Sequence, residues 1–207
     1  MVLITLEGID GTGKTTLITR LLHQLVDLEP VFTREPTSGW TGRAVRRGIA
    51  EEVDPVAEAL LFAADHAVHL ASVVRPALAE GRPVISDRYS DSRYAYQSVV
   101  LEGHLDDPLA WLRNLHAGWT IPPDQTYLLL LPVDQAVRRL GGKHRRREHF
   151  EQAEVLRRVQ EAYIALAEAE PWRFVLVDAT KEKREIARFV EAGIRRTVER
   201  SRARRRP

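Results

Sequence analysis

The stretch Gly8-Ile9-Asp10-Gly11-Thr12-Gly13-Lys14-Thr15 fits the pattern G-x-x-x-x-G-K-[S/T] and decides how the rest of the chain is read. A short apolar run, residues 2–6, comes directly before it, and a helical pattern opens at Lys14. Glycines in this order let successive backbone N–H groups turn inward around phosphate oxygens. The N-terminus of the following helix adds its partial positive charge. Lys14 is then placed for the β and γ phosphates, and the Thr15 hydroxyl for Mg²⁺. Gly8, Asp10, Gly11, Thr12, Gly13, Lys14, Thr15 and Thr16 are the candidate contacts to a nucleoside triphosphate.

Working outward, near-continuous apolar runs recur at residues 31–33, 84–86, 127–131 and 174–177. Continuous rather than alternating apolarity fits strands buried on both faces of a parallel sheet. Helical patterns occupy residues 14–27, 55–80, 108–116, 133–140, 151–168 and 183–200, with Pro55 and Pro108 at first-turn positions. The alternation predicts an α/β P-loop NTPase, a doubly wound five-stranded parallel sheet flanked by helices, as one domain over residues 1–200. On the 55–80 helix, Leu60, Ala64, Ala67, Ala71, Val74 and Leu78 fall on one stripe, read as the core face. Phe62, His66, His69 and Val73 share another. Gly141-Gly142, followed by Lys143, Arg145, Arg146 and Arg147, reads as a glycine-hinged cationic lid over about residues 138–150.

Composition sets the outer bounds. With 44% hydrophobic and 29% charged residues in 207, the chain is expected to fold without staples. It has no cysteine, which excludes disulfides, thiolate metal sites and cysteine nucleophiles. No run approaches the ~18 apolar residues of a membrane span, and the start of the chain meets Glu7 without a basic leader, so a cytoplasmic protein is expected. The net charge of +2 hides an asymmetry. Residues 195–207 hold seven arginines against Glu199, a net of +6, which leaves −4 on the remainder. That basic end, residues 201–207 above all, is read as a solvated terminus rather than a nucleic-acid contact.

Several P-loop classes are then separable. No N-K-x-D guanine-reading motif is present, and the chain is small for a motor ATPase, which leaves a small phosphotransferase. Asp87 ends an apolar run and is followed at once by Arg88. A carboxylate for a hydrated metal beside a guanidinium for transferring phosphate is what phosphoryl transfer requires.

Further stretches give the chain a resemblance to the thymidylate kinase family. They are residues 7–16, Thr33-Arg34-Glu35-Pro36, Leu60-Leu61-Phe62-Ala63-Ala64, Pro76-Ala77-Leu78, Ser86-Asp87-Arg88-Tyr89, Ala95-Tyr96-Gln97 and Phe150-Glu151 with Tyr163. The resemblance implies ATP-Mg²⁺ phosphorylating dTMP to dTDP, and a homodimer pairing through the apolar side of the 55–80 helix. By position it implies that Asp10 serves the acceptor sugar or the metal, and that Thr15 and Asp87 serve the metal. Arg34, Glu35 and Arg88 fall on the acceptor-phosphate side. Phe62 resembles the residue stacked on thymine, and Tyr96, beside Gln97, the ring excluding a ribose 2′-hydroxyl. Arg138 and the lid arginines resemble those closing over ATP, and Ala179 the loop against adenine.

Three departures stand out. Position 66, where the family usually carries a thymine-reading arginine, is His66, while Arg93 replaces a small polar residue on the opposite wall. Arg93 is therefore the candidate guanidinium for the base. Gly11 stands where one subgroup carries a catalytic arginine, which shifts that role to the lid, with Arg147 first and Arg145 and Arg146 as substitutes. The alternatives are a kinase for dUMP or UMP, which His66 leaves open, a deoxynucleoside kinase, and a nucleotide-bound nucleic-acid-binding module using the arginine tail.

Overall fold

The computed structural model describes residues 2–141 and 146–204, with side chains from residue 153 onward in the second segment. Five strands, β1 (Leu3–Glu7), β2 (Val31–Arg34), β3 (Val84–Asp87), β4 (Gln125–Leu130) and β5 (Phe174–Asp178), pair in parallel in the order β2-β3-β1-β4-β5. All five predicted strands are present, with ends shifted by one or two residues. Register sets Leu6 opposite Asp87 and Arg34 opposite Asp87, so both carboxyl-end residues reach one edge of the sheet. The order reverses on either side of β1, and in such sheets the crevice at the strands' carboxyl ends is where ligands bind.

Alternate residues of β1 enter different clusters, as a two-residue period demands. Ile4 and Leu6 join Leu17, Leu21, Val190 and Ile194, from α1 (Lys14–Gln24) and α9 (Lys183–Ala203). Leu3 joins Leu70, Val74, Leu78 and Tyr89. The α9 helix runs three residues beyond its predicted end, into the arginine-rich terminus. Its Arg195 is held by Asp27 through Nη1 at 2.7 Å and Nη2 at 2.9 Å, so one arginine of that stretch anchors the fold. Arg205, Arg206 and Pro207 lie outside the described residues.

The helix predicted over 55–80 is continuous but not uniform. It comprises α3 (Pro55–His69), a π-helical turn (Leu70–Val74) and α4 (Arg75–Ala79). Asp54 caps its start, accepting from the N–H groups of Val56 and Ala57 with Pro55 in the first turn. The apolar stripe is corrected by the structure: Leu60, Ala64, Ala67 and Ala71 face solvent, and only Val74 and Leu78 are buried. The wide turn breaks the 3.6-residue period, just before Pro76, which lacks the N–H an α pattern would need. The buried side of α3 is instead Ala59, Ala63, Asp65, His66 and His69. This helix is long and apolar enough to cross a membrane by length and composition. Asp65 nevertheless accepts bonds from Thr37 and Thr41, which makes it a layer of the domain.

Two helices escaped the sequence reading, α2 (Trp40–Ala50) and α5 (Ser90–Val100). The remaining three are α6 (Pro108–His116), α7 (Val133–Leu140) and α8 (Arg146–Ala169). Three consecutive residues of α5 each engage a different buried charge. Asp91 takes a bidentate fork from Arg173 at 2.7 and 2.8 Å, Ser92 donates to Glu7 at 2.6 Å, and Arg93 binds Glu35. Glu35 also accepts from Nδ1 of His66 at 2.8 Å and of His69 at 2.6 Å, while His116 Nε2 accepts from Arg93 Nε at 3.1 Å. Burial, then Arg93, pushes His66 and His116 down to about 4. Burial alone would raise Glu35, but Arg93 and His66 outweigh it and hold the carboxyl well below its usual range.

Two consequences are measurable. As pH falls below about 6.5, the unfolded chain takes up protons that buried His66 and His116 refuse until about 4. Stability present above pH 6.5 should therefore be lost between 6.5 and 4, on the order of 3 kcal/mol per histidine. Urea titrations at pH 7.0, 5.5 and 4.5 read this directly, and a flat profile would mean that both rings titrate in the fold as they do in the unfolded chain. Second, Asp91→Ala, which takes the carboxylate from Arg173 Nη1 and Nη2 and leaves only Glu170 to balance its charge, should cost about 3 kcal/mol. Arg47→Ala, which breaks the exposed Arg47–Glu51 pair, should cost about 0–1 kcal/mol.

Candidate active site

At the carboxyl end of β1 the chain turns through Gly8, Gly11 and Gly13, at φ +132°, +84° and +98°. Two of these turns are enforced by neighbours as well as by φ. A Cβ on Gly8 would sit 2.5 Å from the Leu129 carbonyl oxygen, and one on Gly11 would sit 2.5 Å from that of Ala136. The loop is thus pressed on α7, and a side chain at position 11 has no room. Gly13 caps α1 without a side-chain acceptor, which leaves first-turn N–H groups open to an anion. Lys14 Nζ donates to the carbonyls of Gly8 at 2.8 Å and Ile9 at 3.0 Å, lying back along the loop. Burial, then Arg88, lowers its ammonium to about 7, against the pull of Asp87, Asp10 and Glu7.

A cavity of about 370 Å³ opens beside the loop, and seven predicted site residues line it: Asp10, Glu35, Phe62, Arg88, Arg93, Tyr96 and Gln97. Arg88 adopts φ +67°, an uncommon conformation for a side-chain-bearing residue, and its backbone is pinned on both sides. Its N–H donates to Leu6 O at 3.1 Å, and its carbonyl accepts from Ser86 Oγ at 2.7 Å. The guanidinium reaches Asp10 Oδ1 at 2.7 Å, Ser92 Oγ at 3.1 Å and the Tyr96 hydroxyl at 3.3 Å, and lies 4.8 Å from the Tyr96 ring centre. Burial opposes ionisation of Asp10, but Arg88 and Lys14 lower its pKa below the usual value.

A second cavity, about 420 Å³, lies on the other side of the loop and is lined by Thr12, Gly13, Thr16, Arg139, Ala179 and Lys183 among others. Arg138 and Arg139 are both exposed, but of the two only Arg139 is among the residues lining this space, and it donates to Gly11 O at 3.4 Å. On α7 the adjacent residue is about 100° round the helix, so only one of the two can face the loop. Arg34 is exposed at the end of β2 and is not among the residues lining either cavity. His66 is fully buried and bound to Glu35 and Thr120, away from the cavity lining. Arg145 lies outside the described residues, as do the side chains of Arg146 and Arg147.

For a metal, Asp87 Oδ1 is buried without a partner and Asp87 acts on the charge of Lys14, while Thr15 follows Lys14 in the first turn of α1, so this donor set fits a hard divalent cation. The sequence reading did not pick out Glu7 and Ser92 as site groups, and it noted Tyr163 only as a motif match. Glu7 accepts from Tyr89 N–H at 2.8 Å, Ser92 Oγ at 2.6 Å and the Tyr163 hydroxyl at 2.8 Å. Burial, then Asp91, raises its pKa to about 7. An acid closing an otherwise apolar strand was the available signal.

Comparison with known proteins agrees with this geometry. Residues 6–190 match the family model described as thymidylate kinase. The chain is 60% identical over 202 residues to a probable thymidylate kinase of Methanoculleus marisnigri, covering 98% of each. It is 55% identical over 193 residues to that of Methanospirillum hungatei, covering 93% of each. With that of Natronomonas pharaonis the identity is 49% over 198 residues, covering 95% of this chain and 97% of the other. A loop shaped for polyphosphate, an acceptor cavity on one side of it and similarity along nearly the whole length lead to one conclusion: this chain belongs to the thymidylate kinase family and is an ATP-dependent nucleoside monophosphate kinase.

Proposed function

We propose that the cavity lined by Phe62, Arg88 and Tyr96 takes dTMP while the glycine loop takes the polyphosphate of ATP, and that one phosphoryl group passes between them. The observation that carries this reading is the position of Arg88, whose guanidinium stands between Asp10 of the loop and the acceptor cavity. An oxygen of the dTMP phosphate attacks the γ-phosphorus, the bond to the β-bridging oxygen breaks, and dTDP and ADP result. The acceptor oxygen is already anionic at neutral pH, so no general base is required. Catalysis is then positioning and charge stabilisation.

Each residue has a role in this scheme. The loop amides and Lys14 hold the β and γ phosphates, a load that restores the Lys14 ammonium. Thr15 and Asp87 would hold Mg²⁺, which when bound draws charge from the phosphate oxygens. Arg88 holds the acceptor phosphate against the donor, with Arg34 at the neighbouring strand end. Phe62 stacks on the base, and Tyr96 with Asp10 bounds the sugar. Thr16, Arg139 and Ala179 line the side on which the nucleoside of ATP rests. The lid arginines Arg145, Arg146 and Arg147 supply the remaining positive charge. The solvent-facing side of α3, with Leu60 at 46% and Val68 at 38% exposure beside Ala64 and Ala67, is the surface we assign to a second copy. Such an enzyme works where ATP and dTMP are made, in the cytoplasm.

ADP release from Mg²⁺-ATP, measured with dTMP, dUMP, UMP and thymidine offered separately, tests the assignment. dTMP should be preferred over dUMP by about tenfold or more in kcat/KM, the discrimination that one methyl group in an apolar pocket provides, and over UMP and thymidine by more. Preference for thymidine would move the chain to the nucleoside kinases. For the second-copy surface, Ala64→Glu should convert a dimer to a monomer in sedimentation velocity. A wild-type monomer at micromolar concentration would remove that assignment.

A further inference from the structure

We propose that Arg93 reads the pyrimidine ring of the acceptor, donating from Nη2 to the C4 carbonyl oxygen, and that Glu35 is the positioning residue that aims it. This rests on the dTMP reading above and names the group behind its selectivity.

Arg93 is 2% exposed and heads the largest fully buried side chains, yet it lines the acceptor cavity. Its nitrogens are not equally engaged. Nη1 is bound to Glu35 Oε2, Nε donates to His116 Nε2, and Nη2 has no partner. A buried guanidinium nitrogen left unpaired is rare in a folded protein, and here it belongs to a residue on the wall of the cavity. It is a donor held in reserve for something that enters.

The groups behind Arg93 fix where that donor points. Glu35 Oε1 accepts from Nδ1 of both His66 and His69, so each ring is the Nδ1–H tautomer. Their Nε2 atoms then accept from Thr120 at 3.2 Å and Thr33 at 2.7 Å. With three donors on two oxygens, the carboxylate cannot turn, and the fork of Arg93 cannot turn with it. Glu35, His66 and His69 also bring three ligand atoms within 4.8 Å of one another. A cation there would face the Arg93 guanidinium across a shared carboxylate, so hydrogen bonding is the use this cluster serves. The charges of Glu35 and Arg93 cancel, and what remains is a hydrogen-bond donor rather than an anion site.

Ring chemistry then sets the selection. Thymine and uracil present an acceptor at C4, which Nη2 can satisfy. Cytosine presents an amino donor there, and two donors would meet in a space closed to water. His66 cannot serve instead, because both its nitrogens are committed to Glu35 and Thr120.

The test compares dTMP with dCMP and with a 2-pyrimidinone compound, the 5-methyl-2-pyrimidinone deoxyribonucleoside 5′-monophosphate, which keeps the 5-methyl group and lacks the C4 oxygen. Wild type should lose about 10- to 150-fold in kcat/KM on the 2-pyrimidinone compound, mostly through KM, the span of one hydrogen bond to a charged group. Calorimetric Kd values should give the same ratio, and dCMP should fare worse still. Arg93→Met should bring dTMP and the 2-pyrimidinone compound within about threefold of each other. Glu35→Gln, which loosens the carboxylate that holds Arg93 Nη1, should narrow the same ratio, mostly through the KM for dTMP. The wild-type comparison holds even where a variant fails to fold. Wild type that accepts the 2-pyrimidinone compound as well as dTMP, or Arg93→Met that keeps the discrimination, overturns the role of Arg93 alone. Wild type that neither binds nor phosphorylates dTMP overturns this role and the functional reading together.

Discussion

Glu7 has no solvent exposure, yet its two oxygens receive three donors from outside its own strand. Tyr89 N–H and Ser92 Oγ bring the β3–α5 turn against the end of β1, and the Tyr163 hydroxyl brings α8 to the same point. Those donors pull the carboxyl down against burial, which with Asp91 still leaves it at about 7. With them, the turn that contains Arg88 is clamped between two elements, and the left-handed backbone of Arg88 becomes tolerable. The phosphate loop begins one residue after Glu7. A single buried acid therefore sets the distance between the donor and acceptor halves of the active site.

The same logic is repeated around α5. Successive helix residues are about 100° apart, so Asp91, Ser92 and Arg93 point to three different sides. Each side meets a buried charge: Arg173, Glu7 and Glu35. The Asp91–Arg173 pair ties the helix to the β4–β5 edge and stands apart from both cavities. The other two face the chemistry. A buried pair adds little net stability against an apolar equivalent, but losing one partner is costly, and this makes the placement of α5 all-or-none.

The sequence displays those features that follow from local pattern. The glycine loop, the five strands and the capped starts at Asp54-Pro55 and Asp107-Pro108 all have short-range causes, and the structure has each of them. The α5 helix was hidden because Ser90, Asp91, Ser92, Arg93 and Gln97 outnumber Ala95 and Val99 among its buried residues, which leaves too little apolar periodicity to reveal it. The α2 helix was hidden by Gly42 and Gly48, poor helix formers that allow close packing: a Cβ on Gly42 would meet the Thr37 carbonyl oxygen at 1.9 Å. The stripe on α3 and α4 failed at the π-helical turn, whose extra width no propensity scale registers. At the site, resemblance to the family, and the departure from it at position 93, pointed to Phe62, Arg88, Arg93 and Tyr96, and all four line the cavity. The sequence could not separate Arg139 from Arg138, nor foresee that His66 turns to Glu35, since both depend on contacts made across the fold.

The contact between Gly11 and Ala136 bears on how such an enzyme can change over generations. Replacing Gly11 by arginine needs only a small change in the gene, but the new side chain would be driven into the backbone of α7. Moving α7 first, with Gly11 still in place, would open a void beneath the phosphate loop and withdraw Arg139 from it. Each step alone is harmful, and only the two together could be neutral. A lineage that begins with this packing is therefore held to it, and positive charge from the far side of the nucleotide is the supply such a lineage can still refine one substitution at a time.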